Sequence, residues 1–342
     1  MQRDTIIALD AMGGDHAPQE IVKGAVQAAR DLGINVALVG IPERIIAELA
    51  RYGPKSELIS VVPALEVIEM DEQPAQAARH KKDSSMVVGL KMVKQGQADA
   101  FVSAGNTGAV MAGAIMYLGR LKGIERPSLV ALLPFAGRLT VFLDVGANAD
   151  CKPSYLLQFG QMASVYLEKV WNIPNPRVAL LNIGEEDSKG NQLSLEAYEL
   201  LKDSELNFIG NIEGKDIAKD QADVIVTDGF TGNVVVKTME GVADFITGQL
   251  RQAMTSRWHY KLAAAVLLPA FNQLRRSMDY REYGAGPLLG INGLVFIGHG
   301  RSDAQAIVSA LRVAREAVQS GMLEAMREMA PAPTRKAGQD SE

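Results

Sequence analysis

The chain has 342 residues, 47% hydrophobic and 22% charged, with a formal net charge of −5. That length can bury a sizeable core as one large domain or two lobes, and the composition is that of an ordinary globular protein. The acidic balance speaks against general nucleic-acid binding, the single cysteine, Cys151, excludes an intrachain disulfide and an all-cysteine metal site, and no run of about 18 uninterrupted apolar residues is available to span a membrane.

Thr5 to Leu9 predicts a short strand ending at Asp10, followed by Ala11-Met12-Gly13-Gly14-Asp15-His16. The residues before it, Met1-Gln2-Arg3-Asp4, lack the apolar core of a signal peptide, and with one cysteine this fits a reducing cytoplasm. A helix is expected from Pro18 to about Leu32, a strand over Asn35–Gly40, a helix from Pro42 to about Arg51 and a strand over Leu58–Pro63. An irregular acidic stretch, Ala64–Gln73, leads to the basic run Arg79-His80-Lys81-Lys82 and a helix over Ser84–Gln95. Then come a strand over Ala98–Val102, the loop Ser103-Ala104-Gly105-Asn106-Thr107-Gly108 and a helix over Ala109–Leu118. Strands are expected at Pro127–Leu133 and Thr140–Val145, then a helix over Pro153–Val170, a strand over Arg177–Ile183 and a helix over Leu193–Lys202. Asn207–Ile212 reads as an edge strand, Asp223–Val226 as a strand, and a helix starts at Val234. Leu294–Ile297 is the last strand and Ser302–Ala330 the last helix, before a Pro-rich polar tail, 331–342, expected to be disordered.

Short apolar strands alternating with helices predict an α/β protein with a mostly parallel sheet covered on both faces. No internal repeat or linker is visible, so residues 1–330 read as one catalytic unit; a second lobe would have to include the middle of the chain or Asp244–Tyr283.

The polar residues gather at strand ends. Ser103, Asn106 and Thr107 place small donors at a helix N-terminus, an arrangement that either binds an anion or merely caps the helix. Asp10, Asp144–Asn148, Glu185–Lys189 and Asp228–Asn233 also follow strands, and in an open parallel sheet such loops share one edge, where ligands bind. Lys189 is the obvious cation among them: either it completes a phosphate pocket with Ser103, Asn106, Thr107, Thr231 and Asn233, or it is a solvated loop lysine. Neither G-x-x-x-x-G-K-[ST] nor G-x-G-x-x-G follows the first strand, which removes support for ATP and NAD. The aspartates at these strand ends could gather a metal, yet no metal-ligand spacing is present and backbone N–H groups can hold carboxylates equally well. His16 and His299 lie in Gly-rich loops near strand ends, as cleft residues or as caps, and nothing in sequence near Cys151 marks a reactive thiol.

Ala8-Leu9-Asp10-Ala11-Met12-Gly13-Gly14-Asp15-His16-Ala17-Pro18 resembles the opening of the bacterial phosphate acyltransferases (acyl-ACP:phosphate transacylases). So do the Ser103–Gly108 loop, Asp144-Val145-Gly146-Ala147-Asn148, Thr227-Asp228-Gly229-Phe230-Thr231-Gly232-Asn233, Arg79–Met86 and Asn182–Asn191, over residues 4–325 in all. The resemblance implies an αβα sandwich similar to the isocitrate and isopropylmalate dehydrogenases and phosphotransacetylase. It also implies a homodimer that moves a fatty acyl group from acyl carrier protein to inorganic phosphate for phospholipid synthesis. A membrane-bound glycerol-3-phosphate acyltransferase would consume the acyl phosphate. No cofactor, metal or nucleotide is needed, because bound phosphate can attack the thioester directly when positioned and its developing charge is stabilised. On this reading Lys189, Asn233 and Asp228 carry the chemistry. Asp10, Ser103, Gly105, Asn106, Thr107, Gly108, Asp144, Asn148 and Thr231 bind or orient substrate. A decarboxylating dehydrogenase of the same fold and a non-enzymatic adaptor for the carrier are the alternatives.

Two surface features complete the expectations. Arg79, Lys81 and Lys82 form a docking patch for the acidic carrier protein, or a solvated charged loop. Between Asp244 and Asp279 there is no acidic residue, while Arg251, Arg257, Lys261, Arg275 and Arg276 are present and Trp258, Leu262, Val266, Leu267 and Leu268 supply apolar contacts. This predicts an amphipathic helical hairpin over 246–280 that touches an anionic membrane at the inner face of the plasma membrane, or packs in a dimer interface.

Overall fold

The computed structural model describes residues 5–54, 56–135, 138–262, 264, 266–267 and 282–329. Its strands are β1 (Ile6–Asp10), β2 (Asn35–Gly40), β3 (Ile59–Pro63), β4 (Ala100–Ser103), β5 (Ser128–Phe135), β6 (Arg138–Leu143), β7 (Val178–Asn182), β8 (Phe208–Glu213), β9 (Val224–Val226), β10 (Ala285–Leu289) and β11 (Leu294–Gly298). The helices are α1 (Gln19–Leu32), α2 (Pro42–Leu49), α3 (Pro74–His80), α4 (Ser85–Lys94), α5 (Thr107–Tyr117), α6 (Pro153–Val170), α7 (Gln192–Lys202), α8 (Gly229–Thr255), α9 (Ala304–Gln319) and α10 (Met322–Glu328).

The strands form one 11-stranded sheet in the order β3-β2-β1-β4-β11-β10-β5-β6-β9-β7-β8. Alternation along each strand sends side chains to opposite faces. Ile7 and Leu9 enter one core and Ala8 the other; Ala100 and Val102 part from Phe101, as do Leu294 and Phe296 from Val295 and Ile297. One face is covered by α1, α2, α6, α7, α9 and α10. The other is covered by α3, α4 and α5 over the first half of the sheet and by the start of α8 over the second. The expected helix–sheet–helix sandwich is therefore the observed one.

The pairing directions are less simple than alternation suggests. β3, β2, β1, β4 and β11 run parallel, and so do β6, β9, β7 and β8. Between these blocks β10 pairs antiparallel with both β11 and β5, and β5 pairs antiparallel with β6. Three successive reversals leave the two parallel blocks pointing in opposite directions. The carboxyl ends of β1, β4 and β11 thus lie on one edge, and those of β6, β9 and β7 on the other. With strands of about five residues at roughly 3.3 Å each, the edges stand roughly 15 Å apart.

Several elements depart from expectation for local reasons. β10 contains Gly286 and Pro287, residues that weaken a strand signal. The basic run 79–82 closes a helix, α3, that starts at Pro74. The last helical stretch is two helices, because Gly321 adopts a left-handed φ of 67° and turns the chain. The tail 331–342 lies outside the described residues, as do residues 263, 265 and 268–280 of the expected hairpin.

Helix α1 lies against α9 with no side chain between them at Gly24, where a Cβ would stand 2.6 Å from Ile307 Cβ and 2.9 Å from the Ala304 carbonyl. Overpacking such a contact costs about 1–3 kcal/mol. Gly24→Leu should therefore lower the unfolding free energy by about that amount despite leucine's better helix propensity, and urea unfolding with an unchanged midpoint would refute this packing.

Candidate functional site

At the first edge, Asp10 is 1% exposed and is held in place by its neighbours. Its carboxylate accepts from Ser103 Oγ at 2.8 Å and from the Met12 N–H at 3.1 Å. Ser103 Oγ in turn accepts from the Gly105 N–H at 3.1 Å. Burial pushes the Asp10 carboxyl up from the ordinary range, and hydrogen bonds from Ser85, Ser103 and the Met12 and Gly13 backbone pull against it. The loop after β1 packs directly on the loop after β4: a Cβ on Gly13 would meet Asp10 Oδ2 at 2.6 Å and the Gly105 nitrogen at 2.8 Å. Glycine is required there for close approach of two backbones.

Asn106 caps α5 by accepting from the Ala109 N–H at 3.1 Å. Its Nδ2 points at the carbonyls of Glu69, Met70 and Glu72, between 3.0 and 3.3 Å away. Both ends of that amide, and the Ser103 hydroxyl, are thus committed inside the fold, which corrects the expectation that Ser103 and Asn106 donate to phosphate. Gly108 lies against Pro74. Of this loop Thr107 is the residue that reaches open space, where it lines a cavity.

At the opposite edge, Asp144 is fully buried and accepts from the N–H groups of Leu129, Ala147 and Asn148 at 3.1, 3.1 and 2.7 Å, and from Asn148 Nδ2 at 2.8 Å. Burial pushes its carboxyl up too, against the pull of these donors. Asn148 Nδ2 also reaches the Pro127 carbonyl at 2.7 Å, so Asp144 and Asn148 tie the loop after β6 to the start of β5. Asp228 is the N-cap of α8, accepting from the Thr231 N–H at 2.8 Å and the Thr231 hydroxyl at 2.7 Å. Removing such a cap costs about 1 kcal/mol. Gly232 lets α8 start against this loop, since a Cβ there would stand 1.9 Å from the Asp144 carbonyl oxygen.

Lys189 is exposed in the loop after β7, on the same edge as Asp144, Asp228 and Asn233. Within one chain it cannot share a phosphate with Ser103–Gly108, because the sheet's reversal separates the two groups of loops. The single shared edge expected for all five loops is corrected accordingly. Asn233 bridges the gap in part. Its Nδ2 donates to the Val145 carbonyl at 3.1 Å, and it lines the cavity that Thr107 enters from the other side.

That cavity, of about 950 Å³, lies on the sheet face between α5 and α8. Its floor is apolar: Leu129, Ala131, Leu133 and Phe135 from β5, Gly286 from β10 and Ile297 from β11. Its α8 wall adds Val236, Met239, Ala243, Leu250 and Met254. Polar groups cluster where β11 ends, with Thr107, His299 and Arg301 faced by Lys237, Glu240 and Asp244 of α8, and a second set, Thr247, Arg251, Thr255 and Lys261, lines the cavity further along. Lys237 Nζ pairs with Glu240 at 3.0 Å, and Arg301 with Asp244 at 3.3 Å. Burial pushes the His299 imidazole below the ordinary histidine range, opposed by Glu240 and assisted by Lys237 and Arg301. Burial and the two cations thus favour the neutral imidazole. The sequence alone does not single out Lys237, Glu240 or Arg301, and it admits His299 as either a cleft residue or a cap. The available signal was Gly298-His299-Gly300-Arg301-Ser302-Asp303, another strand end with a glycine loop leading to a capped helix.

Among the described residues, no group of three or more His, Cys, Asp or Glu is gathered as for a metal ion. In the basic run, Lys81 is engaged by Glu72 and the Val67 carbonyl, while Arg79 and Lys82 are exposed. Along α8 every residue from 241 to 250 is exposed, including Val242, Phe245, Ile246 and Leu250. Beyond it Trp258, Leu262, Val266 and Leu267 are 51–80% exposed, and Leu268 lies outside the described residues. No helix among the described residues is long and apolar enough to cross a membrane.

Cys151 Sγ lies 3.6 Å from the Asn148 carbonyl, and burial pushes its thiol up to about 12. At pH 8 that leaves roughly a thousandfold less thiolate than an ordinary cysteine has. A disulfide reagent should label the native protein correspondingly slowly and the urea-unfolded protein at the normal rate; equal rates would contradict this environment.

The family described as fatty acid synthesis protein matches residues 5–325. The phosphate acyltransferase of Desulfitobacterium hafniense is 50% identical over 326 residues, covering 95% of this chain and 97% of that protein. The phosphate acyltransferase of Heliobacterium modesticaldum is 51% identical over 327 residues, again covering 95% and 97%. Among solved structures, a phosphotransacetylase from Streptococcus pyogenes superposes with a TM-score of 0.60 at 19% identity, covering 94% of this chain and 95% of its own. A 4-hydroxythreonine-4-phosphate dehydrogenase from Salmonella typhimurium does so with a TM-score of 0.53 at 11% identity, covering 92% and 99%. At those identities the structures speak to the fold alone.

Proposed function

Since the chain belongs to the phosphate acyltransferase family of fatty acid and phospholipid synthesis, we propose that it transfers a fatty acyl group from acyl carrier protein to inorganic phosphate by direct attack of bound phosphate on the thioester. One observation carries this reading: a single cavity joins a long apolar floor to a cluster of polar and cationic groups at the carboxyl end of β11. About 950 Å³ is at the upper end of the usual range for small-molecule sites. The floor suits an acyl chain, whose burial is worth about 0.8 kcal/mol per methylene. The polar end suits the phosphate and the thioester carbonyl.

The residues divide the work. Arg301 and Lys237 draw a phosphate dianion toward the end of β11, and Asp244 and Glu240 hold the two cations in place. Thr107, the first residue of α5, faces the same space, and a helix N-terminus favours negative charge. Asn233 lies where it can meet the thioester carbonyl from the α8 side. Asp10, Ser103 and Asn106 act behind the site, holding the β1 and β4 loops so that Thr107 is presented. Asp228, Thr231, Asp144 and Asn148 do the same for Asn233. Lys189 enters the chemistry only if a second copy brings its opposite edge to this cavity.

The apolar face of α8 supports a homodimer, because a monomer exposing Val242, Phe245 and Ile246 together would present an unusually large apolar patch. Trp258, Leu262, Val266 and Leu267, interspersed with Arg257 and Lys261, support peripheral contact with an anionic membrane from the cytoplasmic side. There the acyl phosphate would pass to a membrane-bound glycerol-3-phosphate acyltransferase. Arg79 and Lys82 are the exposed basic residues that suit the acidic carrier protein.

Phosphate-dependent release of the carrier's free thiol from acyl-ACP tests the reaction. In that assay Arg301→Gln should cost roughly 10–100-fold in kcat/KM for phosphate, or about 1.4–2.7 kcal/mol. Arg79→Glu with Lys82→Glu should instead raise the KM for acyl-ACP and flatten its salt dependence. Parent-like values in either variant would remove that residue set from the reading. Leu262→Glu with Leu267→Glu should abolish sedimentation with vesicles rich in anionic phospholipid while the protein still sediments as a dimer; unaltered vesicle binding would end the membrane proposal, and a monomeric parent the dimer proposal.

A further inference from the structure

Resting on the acyl-transfer reading, we infer that His299 relays the proton of the attacking phosphate to the departing sulfur. The reaction sets the requirement. Phosphate enters near neutral pH as a dianion that still carries one P–OH. A P–O⁻ oxygen forms the bond to the thioester carbon, and the carbon–sulfur bond breaks. The remaining P–OH becomes more acidic as its phosphorus acquires an acyl substituent, while the leaving thiolate is basic, with an ordinary thiol pKa of about 8.5. One proton must leave oxygen and one must reach sulfur. Hydrogen phosphate dianion and neutral thioester then give acyl phosphate dianion and neutral thiol, with no net proton, electron or co-reactant required.

A group that serves both needs must stand beside the phosphate, be uncharged at the start and tolerate a transient positive charge. His299 meets the first condition because it lines the polar end of the cavity next to Thr107 and Arg301, at the carboxyl end of β11. Its backbone is fixed: the His299 carbonyl accepts from Ser302 Oγ at 2.6 Å and from the Ser302 N–H at 2.9 Å. Its charged surroundings are mixed. Lys237, Glu240 and Asp244 face it from α8, Arg301 shares its loop, and Asp15 approaches the next residue, with its N–H 2.7 Å from the Gly300 carbonyl. Burial and the two cations favour the neutral imidazole before reaction, and Glu240 is placed to stabilise it once protonated. Three carboxylates of the strand-end loops are engaged elsewhere. Asp10 and Asp144 are buried under their own donors, and Asp228 caps α8.

The active form is the neutral one, so activity falls as pH drops through the imidazole's pKa. That pKa is lowered from its ordinary value, which places the acidic limb of kcat below about pH 6.5. The test uses the full-length protein, acyl-ACP and saturating inorganic phosphate, with thiol release as the readout. His299→Gln should lower kcat at pH 7.5 by about 100-fold or more, the usual contribution of general acid–base catalysis. It should also leave the KM for phosphate within about threefold and abolish the acidic limb. His299→Ala should regain activity in proportion to added imidazole free base, which a purely structural role would not produce. A His299→Gln enzyme that keeps the parent's kcat and its pH dependence overturns the proposal, and so does a His299→Ala enzyme that imidazole does not rescue. If the parent releases no thiol in response to phosphate, the acyl-transfer reading itself falls, which is a separate outcome.

Discussion

A parallel sheet can reverse direction only where a strand is laid antiparallel, and this protein does so three times in succession, across β11, β10, β5 and β6. The rest of the architecture follows from that seam. Each block keeps its crossovers on both faces, and each delivers its catalytic-looking loops to its own carboxyl edge. The seam strands, flanked by loops of opposite origin, become the floor of the cavity. Helix α8 starts on one edge beside Asp144 and runs across the sheet face to meet Arg301 near the other.

Asp10 and Asp144 hold the glycine-rich loops that carry them. Asp10 and Asp144 are buried at the ends of β1 and β6, and each gathers donors from its own loop and from a neighbouring strand or loop. A buried carboxylate stripped of such donors would cost several kcal/mol, so these loops hold one geometry. Gly13 and Gly232 permit the close backbone approach that brings those donors within reach. What faces the cavity lies one step further on: Thr107 beyond the first knot and, beyond the second, Asn233, whose Nδ2 also reaches the Val145 carbonyl.

The chemistry proposed for the end of β11 depends on balance rather than on charge alone. Arg301 and Lys237 would bind a phosphate dianion, but unopposed they would also repel protonation of any nearby histidine. Asp244 and Glu240 offset them, which leaves a site able to attract an anion and still accommodate a passing proton. The apolar floor a few residues away lowers the local dielectric and strengthens each of these interactions.

The alternation of strands and helices, the two-sided burial and nearly all element positions were legible in the sequence. They depend on periodicity and capping within a dozen residues, as with Asp228 ahead of α8 or Asn106 ahead of α5. Membership of the family was legible too, because its motifs are contiguous. Strand direction was not. Whether β6 runs with or against β1 depends on hydrogen bonds between β10 and β5, segments more than 150 residues apart, and β10 itself was hidden by Gly286 and Pro287. For that reason Lys189 and Ser103 looked like neighbours and are not. Tertiary structure alone brought His299 and Arg301 opposite Lys237 and Glu240, because the loop after β11 and the middle of α8 meet only once the sheet has reversed. It likewise decided that Ser103, Asn106 and Asp144 face inward, since a polar side chain's availability is set by what packs over it, which neighbouring residues in sequence do not specify.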